Sequence, residues 1–426
     1  MQGKSGFEGL SARSSFHPMS DALTQFPPTR TAALERLSTF VPKAGRAYAT
    51  NRNFDLGPGA HVHVSQLSPY LRHRLITEEE VLQAVLGHYA LSSAEKFVQE
   101  VVWRTYWKGW LELRPSVWDM YQADLTRAWD RVQTESGLRR EWEAACMGET
   151  GIDAFDHWAH ELGQTGYLHN HARMWFASIW VFTLRLPWEL GADFFLRHLL
   201  DGDAASNTLG WRWVAGLQTQ GKTYLARPDN IAKYTEGRFK PTGLASFAAP
   251  LDGPPHPPRQ DPPVGDSLDP GKPSVLLLTD DDLSPGFLFD AGLDPKATGV
   301  FTARAEATPL QLADHMHAFM DGAFDDVAAR WGDRLGEMSR LTSAQEIVDW
   351  ARAHGAEQIV TPYAPVGATA RALDRAEAPM DDAGMRLVRC LRDYDAGAWP
   401  HATHGFFRFK EKIPRIVGRI KGLRAA

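Results

Sequence analysis

A chain of 426 residues has room for two domains, and 43% apolar against 23% charged residues is a globular balance, not a disordered or collagen-like one. Two cysteines, Cys146 and Cys390, exclude a disulfide framework, a four-thiolate iron–sulfur cluster and an all-cysteine zinc site. The net charge of −6 argues against indiscriminate DNA binding, but Lys+Arg against Asp+Glu runs 26 to 26 over residues 1–250, 13 to 25 over 251–400 and 7 to 1 over 401–426, so one region carries the acidity.

In chain order, residues 1–29 read as an N-terminal extension without the apolar core of a signal peptide, and no stretch reaches the roughly 18 apolar residues of a membrane span. A cytoplasmic monomer without membrane contact is the expectation. Residues 30–247 are helical and aromatic. Over 93–113, Phe97, Val101, Val102, Tyr106, Trp110 and Leu113 recur at three- and four-residue steps, with Ser93 as N-cap. An apolar run over 174–186 stops at Pro187, and a short helix is expected over 192–200. Fifteen tryptophans exceed ordinary usage, and dense core packing of indoles accounts for such a number as well as chemistry does.

Residues 248–273, AAPLDGPPHPPRQDPPVGDSLDPGKP, lose backbone donors to proline and read as a linker. From 274 to 400 the pattern alternates. Strands are expected at 274–278, 300–302, 358–361 and 385–388, and helices at 343–354 and at 368–377, the latter closed by Pro379, so this is an α/β layer with a parallel sheet. No GxGxxG follows the first strand. Residues 401–426 read as a basic amphipathic helix kinked by Pro414; membrane, nucleic acid and its own domain are all partners such a helix can have.

Chemistry concentrates in residues 166–213. Asp201 and Asp203 flank Gly202, with Asn207 soon after; a bare pair of carboxylates like this usually caps a helix. Arg173 lies in an otherwise apolar helix, where an unpaired charge costs several kcal/mol, so a partner is required. The run GYLHNHARM…LDGDAASNTLGWRW resembles the FAD-binding signature of photolyases and cryptochromes, GWMHNRxRM…IDGDxAxNxGGWQW, with spacing kept from Gly166 to Trp213. Upstream, EVVWR from Glu100 resembles the family's ELIWR, and SQLSPYL from Ser65 resembles SRLSPYL. The likeness covers about residues 30–240. The segments VLLLTDDDLSP and EIVDWARAHGAEQIVTPYAP more weakly resemble the family's antenna domain, which normally comes first, so the chain reads as permuted at domain level.

The resemblance implies an all-α FAD-binding domain followed by a Rossmann-like α/β domain, and a light-driven lyase that splits pyrimidine dimers in DNA. It places Ser65, Gln66, Leu67 and Ser68 along the phosphates and ribityl chain of FAD, with Phe97 and Arg104 supporting the cofactor. Asn170 falls near the adenine and substrate. Arg173 falls at the isoalloxazine edge paired with Asp201, Asp201 and Asp203 accept from flavin or ribityl groups, and Asn207 faces N5. Glu100, Trp103, Met174 and Trp213 match positions that touch the dimer, Glu100 acting when protonated or hydrogen-bonded. Trp211 and Trp188 match two indoles of an electron relay whose third member has no aligned counterpart. Gln66 stands where the family has a phosphate-contacting Arg, Phe97 and Tyr167 where it has Trp, and Thr208 and Leu209 where Asn and Gly are usual. A lost charged phosphate contact weakens cofactor binding by roughly 1–3 kcal/mol. A cryptochrome-like photoreceptor and a non-catalytic relative are the competing implications, and the antenna chromophore is left open. The pairs His61/His63, His157/His160, His169/His171 and His401/His404 lack a third ligand by spacing, so no metal is expected.

Overall fold

The computed structural model of the chain describes residues 19–423. Residues 1–18 of the expected extension and 424–426 of the tail lie outside them. The helical part runs α1 Met19–Gln25, α2 Arg30–Phe40, α3 Arg46–Asn51, α4 Ser68–Arg72, α5 Glu78–Leu86, α6 Glu95–Glu112, α7 Ser116–Thr134 and α8 Ser136–Met147. It continues with α9 Asp153–Thr165, α10 Asn170–Ser178, α11 Trp188–His198, α12 Ala204–Val214 and α13 Pro228–Tyr234. α1 falls inside the stretch read as an extension. It packs on α9, and Phe26 just beyond it is fully buried against Tyr70 and Tyr167.

Local chemistry sets the helix ends. α6 begins two residues later than Ser93, after Ala94, without a side-chain cap. α5 begins at a capping box in which Thr77 and Glu80 satisfy each other's backbone N–H groups. α10 passes into a π-helical turn, Ile179–Thr183, before Pro187 ends the run. α11 starts at Trp188, right after that proline and four residues before the expected start at 192, because Pro187 itself forms the N-cap.

Residues 248–273 contain neither helix nor strand, yet they are tied down. The Gln260 N–H donates to the Leu113 carbonyl, Gln260 Nε2 donates to the Glu112 carbonyl, and the His256 ring packs on Trp110. The α/β part follows: β1 Ser274–Thr279, α14 Gly286–Asp290, β2 Ala297–Phe301, α15 Asp314–Trp331, β3 Glu337–Leu341, α16 Ala344–Ala353, β4 Gln358–Pro362, α17 Ala368–Asp382, β5 Arg386–Cys390 and α18 Asp393–Ala398. The sheet is parallel, ordered β3-β2-β1-β4-β5, with Leu276 opposite both Thr298 and Val360. β1 is buried along its whole length because both faces are covered. Val275 and Leu277 join a core with α16 and α17, while Leu276 and Leu278 join the core shared with the helical domain. Pro379 does not close α17; it sits inside the helix, which runs on to Asp382. The tail forms two short helices, α19 Phe406–Lys410 and α20 Ile413–Val417, with Pro414 in the first turn of the second, where its missing N–H costs nothing.

Buried ion pairs lock the two parts together. Arg72 pairs with Asp280 and Asp281, and Arg74 with Glu78, Asp282 and Asp395. Arg72 ends α4 and Arg74 lies between α4 and α5, and four of these five carboxylates come from the α/β domain. A cavity of about 40 Å³ lies between the domains, lined by Arg72, Lys108, Asp203, Asp280, Asp281 and Arg304. That is room for a water or two, at ~30 Å³ each in the liquid, and not for a fused-ring chromophore.

Candidate flavin site

Four segments converge on the Asp201–Asp203 loop. In the first, the chain before α4 turns through Gln66 at φ +51°, a left-handed conformation uncommon for a residue with a side chain. The Gln66 amide holds it there, donating to the His61 carbonyl at 3.1 Å and accepting from Gln25. The Leu67 N–H donates to Ser65 Oγ at 3.4 Å, Leu67 is buried, and Pro69 in the first turn of α4 starts the helix. The residue standing in place of the family's arginine thus ties the loop to the backbone.

The second segment is α6. Phe97, Glu100 and Arg104 share one face by their spacing. Phe97 packs against Phe40 and edge-on to Tyr48, 4.9 and 5.2 Å between ring centroids. Glu100 forms an ion pair with Arg52, so of the two states left open for it, the hydrogen-bonded one is found. Arg104 pairs with Asp203 and lies 3.9 Å from Asp201.

The third is α10. Asn170, its first residue, is exposed, and Met174 is half-buried. Arg173 makes two parallel 3.0 Å bonds to Asp201 and a third, from Nε, to the Leu168 carbonyl at 2.9 Å. The required partner is therefore present, and the pair closes on itself. Burial raises a carboxyl, but Arg173 and Arg104 outweigh it and hold Asp201 below its usual range; Arg104, Lys108 and Arg72 do the same for Asp203. Asp203 also caps α12, accepting from the Ser206 N–H at 2.7 Å.

The fourth is α12 itself. Asn207 Nδ2 donates to the Ala192 carbonyl at 2.7 Å, and among the described residues nothing bonds its Oδ1. Ser206 Oγ is likewise buried without a partner. Ser65, Gln66, Ser68, Glu100, Trp103, Arg104, Arg173, Met174 and Trp213 all keep partial solvent exposure around this loop. Such a rim of part-exposed polar and aromatic groups, with an unpaired acceptor beside it, fits a flavin: a ring N–H needs an acceptor such as Asn207 Oδ1, and phosphates need the arginines and hydroxyls.

The expected aromatic residues divide into two groups. Trp103 stacks on Phe406 of the tail, 3.5 Å between centroids and 10° between planes, so one indole face is already covered. Trp213 stacks on Tyr224 at 5.7 Å. Trp211 lies edge-on to Trp180 at 6.1 Å, and Trp188 lies 5.5 Å from Tyr121, which is itself 5.3 Å from Trp118.

One cluster escaped reading by spacing. Asp55, His61 and Glu161 lie within ligand reach of one another, all buried. His61 and Glu161 are 100 residues apart and meet at 3.1 Å. Asp55 already accepts from the Gly57 N–H and the Trp158 indole and pairs with Arg238.

Residues 97–243 match the family model for the FAD binding domain of DNA photolyase. The helical domain belongs to the photolyase/cryptochrome family. Deoxyribodipyrimidine photo-lyases from Alkalihalophilus pseudofirmus and Synechococcus sp. are 31% identical to it over 209 residues and 32% over 197, covering 45% and 44% of this chain. The chain spans about two fifths of the length of these curated relatives, 39% in both cases. A crystal structure of a bacterial class III photolyase from Agrobacterium tumefaciens aligns with a TM-score of 0.41 at 27% identity over 51% of this chain and 45% of that one. A cryptochrome from Synechocystis sp. PCC6803 aligns with a TM-score of 0.39 at 23% identity, over 49% and 43% of the two chains. The cofactor of this photolyase-family domain is FAD.

Proposed function

We propose that the chain uses FAD and blue light to split cyclobutane pyrimidine dimers in DNA. The observation that carries this reading is the convergence of Arg104 and Arg173, from two helices, on the Asp201–Asp203 loop with Asn207 Oδ1 left unpaired beside it. FAD supplies the light absorption and the electron that opens the dimer. The residues do the rest. Arg104 and Arg173 fix the loop, Asn207 offers an acceptor at the flavin N5 edge, and Ser65 and Ser68 lie along the phosphates and ribityl chain. Asn170 serves the adenine side. A dimer must leave the duplex to reach this site, and a damaged base is the cheapest to extrude. The free surface of Trp103, with Trp213 and Met174, gives it apolar walls, and Glu100, held by Arg52, faces it with a polar group. Trp211 and Trp188 would re-reduce the flavin.

The domain order, helical first and α/β second, is read as a permutation of the family's arrangement, and the α/β domain as its antenna counterpart. A signalling role without repair is favoured by one observation, the cover that Phe406 places on Trp103. Irradiating the reduced protein with a dimer-containing oligonucleotide decides between them. Light-dependent restoration of the pyrimidines is the expected result; yellow protein that restores none contradicts repair and leaves signalling.

A further inference from the structure

The C-terminal segment is the strongly charged feature that the flavin site leaves unused. α19, α20 and the turn after them bury Phe406, Phe409, Ile413, Ile416, Val417 and Ile420 against the body of the protein, α6 and α18 included. The opposite face shows Arg408, Lys412, Arg415, Arg419 and Lys421 to solvent, with Glu411 as the one acid among them. Among the described residues none of these five cations has an ion-pair partner; the nearby Lys410 does, with Glu95 at 2.7 Å. Other surface arginines differ among themselves: Arg371 is paired with Asp119 and Arg375 with Glu306, while Arg46, Arg140 and Arg185 stand far apart from one another in the sequence and are not a cluster of five. The cations crowd one another as well: burial and then Arg415, Lys412 and Arg419 push His401 below its usual range. The patch adjoins the candidate pocket, because Phe406 stacks on Trp103 and the His404 carbonyl accepts from the Tyr106 hydroxyl of α6. Phe407, the next residue, is 83% exposed.

We propose that this basic face is a nucleic-acid backbone surface that holds the phosphates flanking a nucleotide drawn into the Trp103 pocket, with Phe407 set against a neighbouring base or sugar. The proposal rests on the DNA-repair reading above and adds to it the element that grips the strand. In a chain of net charge −6, unpaired positive charge concentrated beside Trp103 is what lets a polyanion approach there. A membrane does not fit the same surface. An amphipathic helix enters a bilayer by its apolar face, and here that face is consumed against the protein.

The test is binding of the full-length protein to a labelled duplex carrying a thymine dimer, read by fluorescence anisotropy at several salt concentrations. The triple variant Arg408→Gln/Lys412→Gln/Arg415→Gln is compared with wild type after its circular dichroism and flavin absorption are shown to be unchanged. Each phosphate contact contributes about 0.9 to the slope of log K against log salt, so the variant should lose roughly 2 to 3 from that slope. At low salt it should bind about tenfold or more weakly, to undamaged duplex as much as to damaged, since backbone contacts carry no sequence information. Unaltered affinity and slope overturn the proposal, as does intact DNA binding with lost adhesion to phosphatidylserine vesicles. The two readings fail separately. A wild type that binds with the tail-dependent slope but splits no dimer refutes repair and keeps the tail; one that splits dimers, with the variant's slope unaltered, refutes the tail alone.

Discussion

Asn207 is held by a single hydrogen bond, from Nδ2 to the Ala192 carbonyl, and that bond decides which atom the residue can offer. With Nδ2 committed, Oδ1 is the free acceptor, the polarity that an N–H at the flavin N5 edge requires. Asn207→Ala removes the acceptor and one of the bonds to the Ala192 carbonyl, which lies inside α11, a cost of about 1 kcal/mol that a folded domain tolerates. The variant should keep its helical circular dichroism but change the course of flavin photoreduction followed by absorption. An unchanged spectral course would remove Asn207 from the site. Gln66 shows the opposite use of an amide: both ends of its side chain are committed to protein partners, so the position that is an arginine in the family has become part of the loop's own support.

Between α11 and α12 the decisive residue is a glycine. A Cβ at Gly191 would lie 2.3 Å from Trp211, so the absent side chain is what lets the Trp211 indole lie against the helix that begins with Trp188. Gly191→Ala should cost about 1–3 kcal/mol by overpacking and slow photoreduction through the displaced indole; wild-type stability by urea unfolding with unchanged photoreduction would contradict this. Elements of this kind were legible in sequence where the signal is local. β1, β4 and α16 follow from short apolar runs and a helical period, although Ser343, expected as the first residue of α16, stands before it as the N-cap and accepts from the Glu346 N–H. β3 was not, because Glu337–Leu341 is a mostly exposed edge strand without an apolar run. Pro379 misled for a physical reason: it lies near the end of α17, and buried Ala376 and Met380 hold the helix across it. The pairing of Arg173 with Asp201 joins residues of one motif and that of Arg104 with Asp203 joins two, whereas the Phe406 cover on Trp103 and the Asp55–His61–Glu161 cluster join residues too far apart in the chain for any spacing to show.

At the scale of the molecule, the domains share one core and one set of buried charges, and Glu112 reports on their junction. At the end of α6 it accepts from the Val366 N–H at 2.7 Å and the Tyr363 hydroxyl at 2.8 Å, both of the α/β domain. Burial pushes its carboxyl up to about 7, against the pull of those two bonds. A carboxyl raised in the folded state gives stability that is complete below its unfolded value, near 4.5, and is lost as pH rises through about 7. Wild-type protein should therefore lose about 3 kcal/mol from this group between pH 5 and 8, at ~1.4 kcal/mol per pKa unit. Glu112→Gln, of the same shape and always neutral, should flatten that part of the profile in urea unfolding; an identical profile in both proteins would contradict the assignment.

The central claim is that the flavin is held where Arg173 and Arg104 meet the Asp201–Asp203 loop. The most direct measurement is flavin bound per chain, from the absorption of purified protein reconstituted with FAD, for wild type against Asp201→Asn. Substituting Asn keeps the shape but leaves Arg173 facing a neutral amide, so the wild type should bind close to one flavin per chain and the variant a small fraction of that, with helical content retained. Flavin bound equally by both proteins, or by neither, would contradict it.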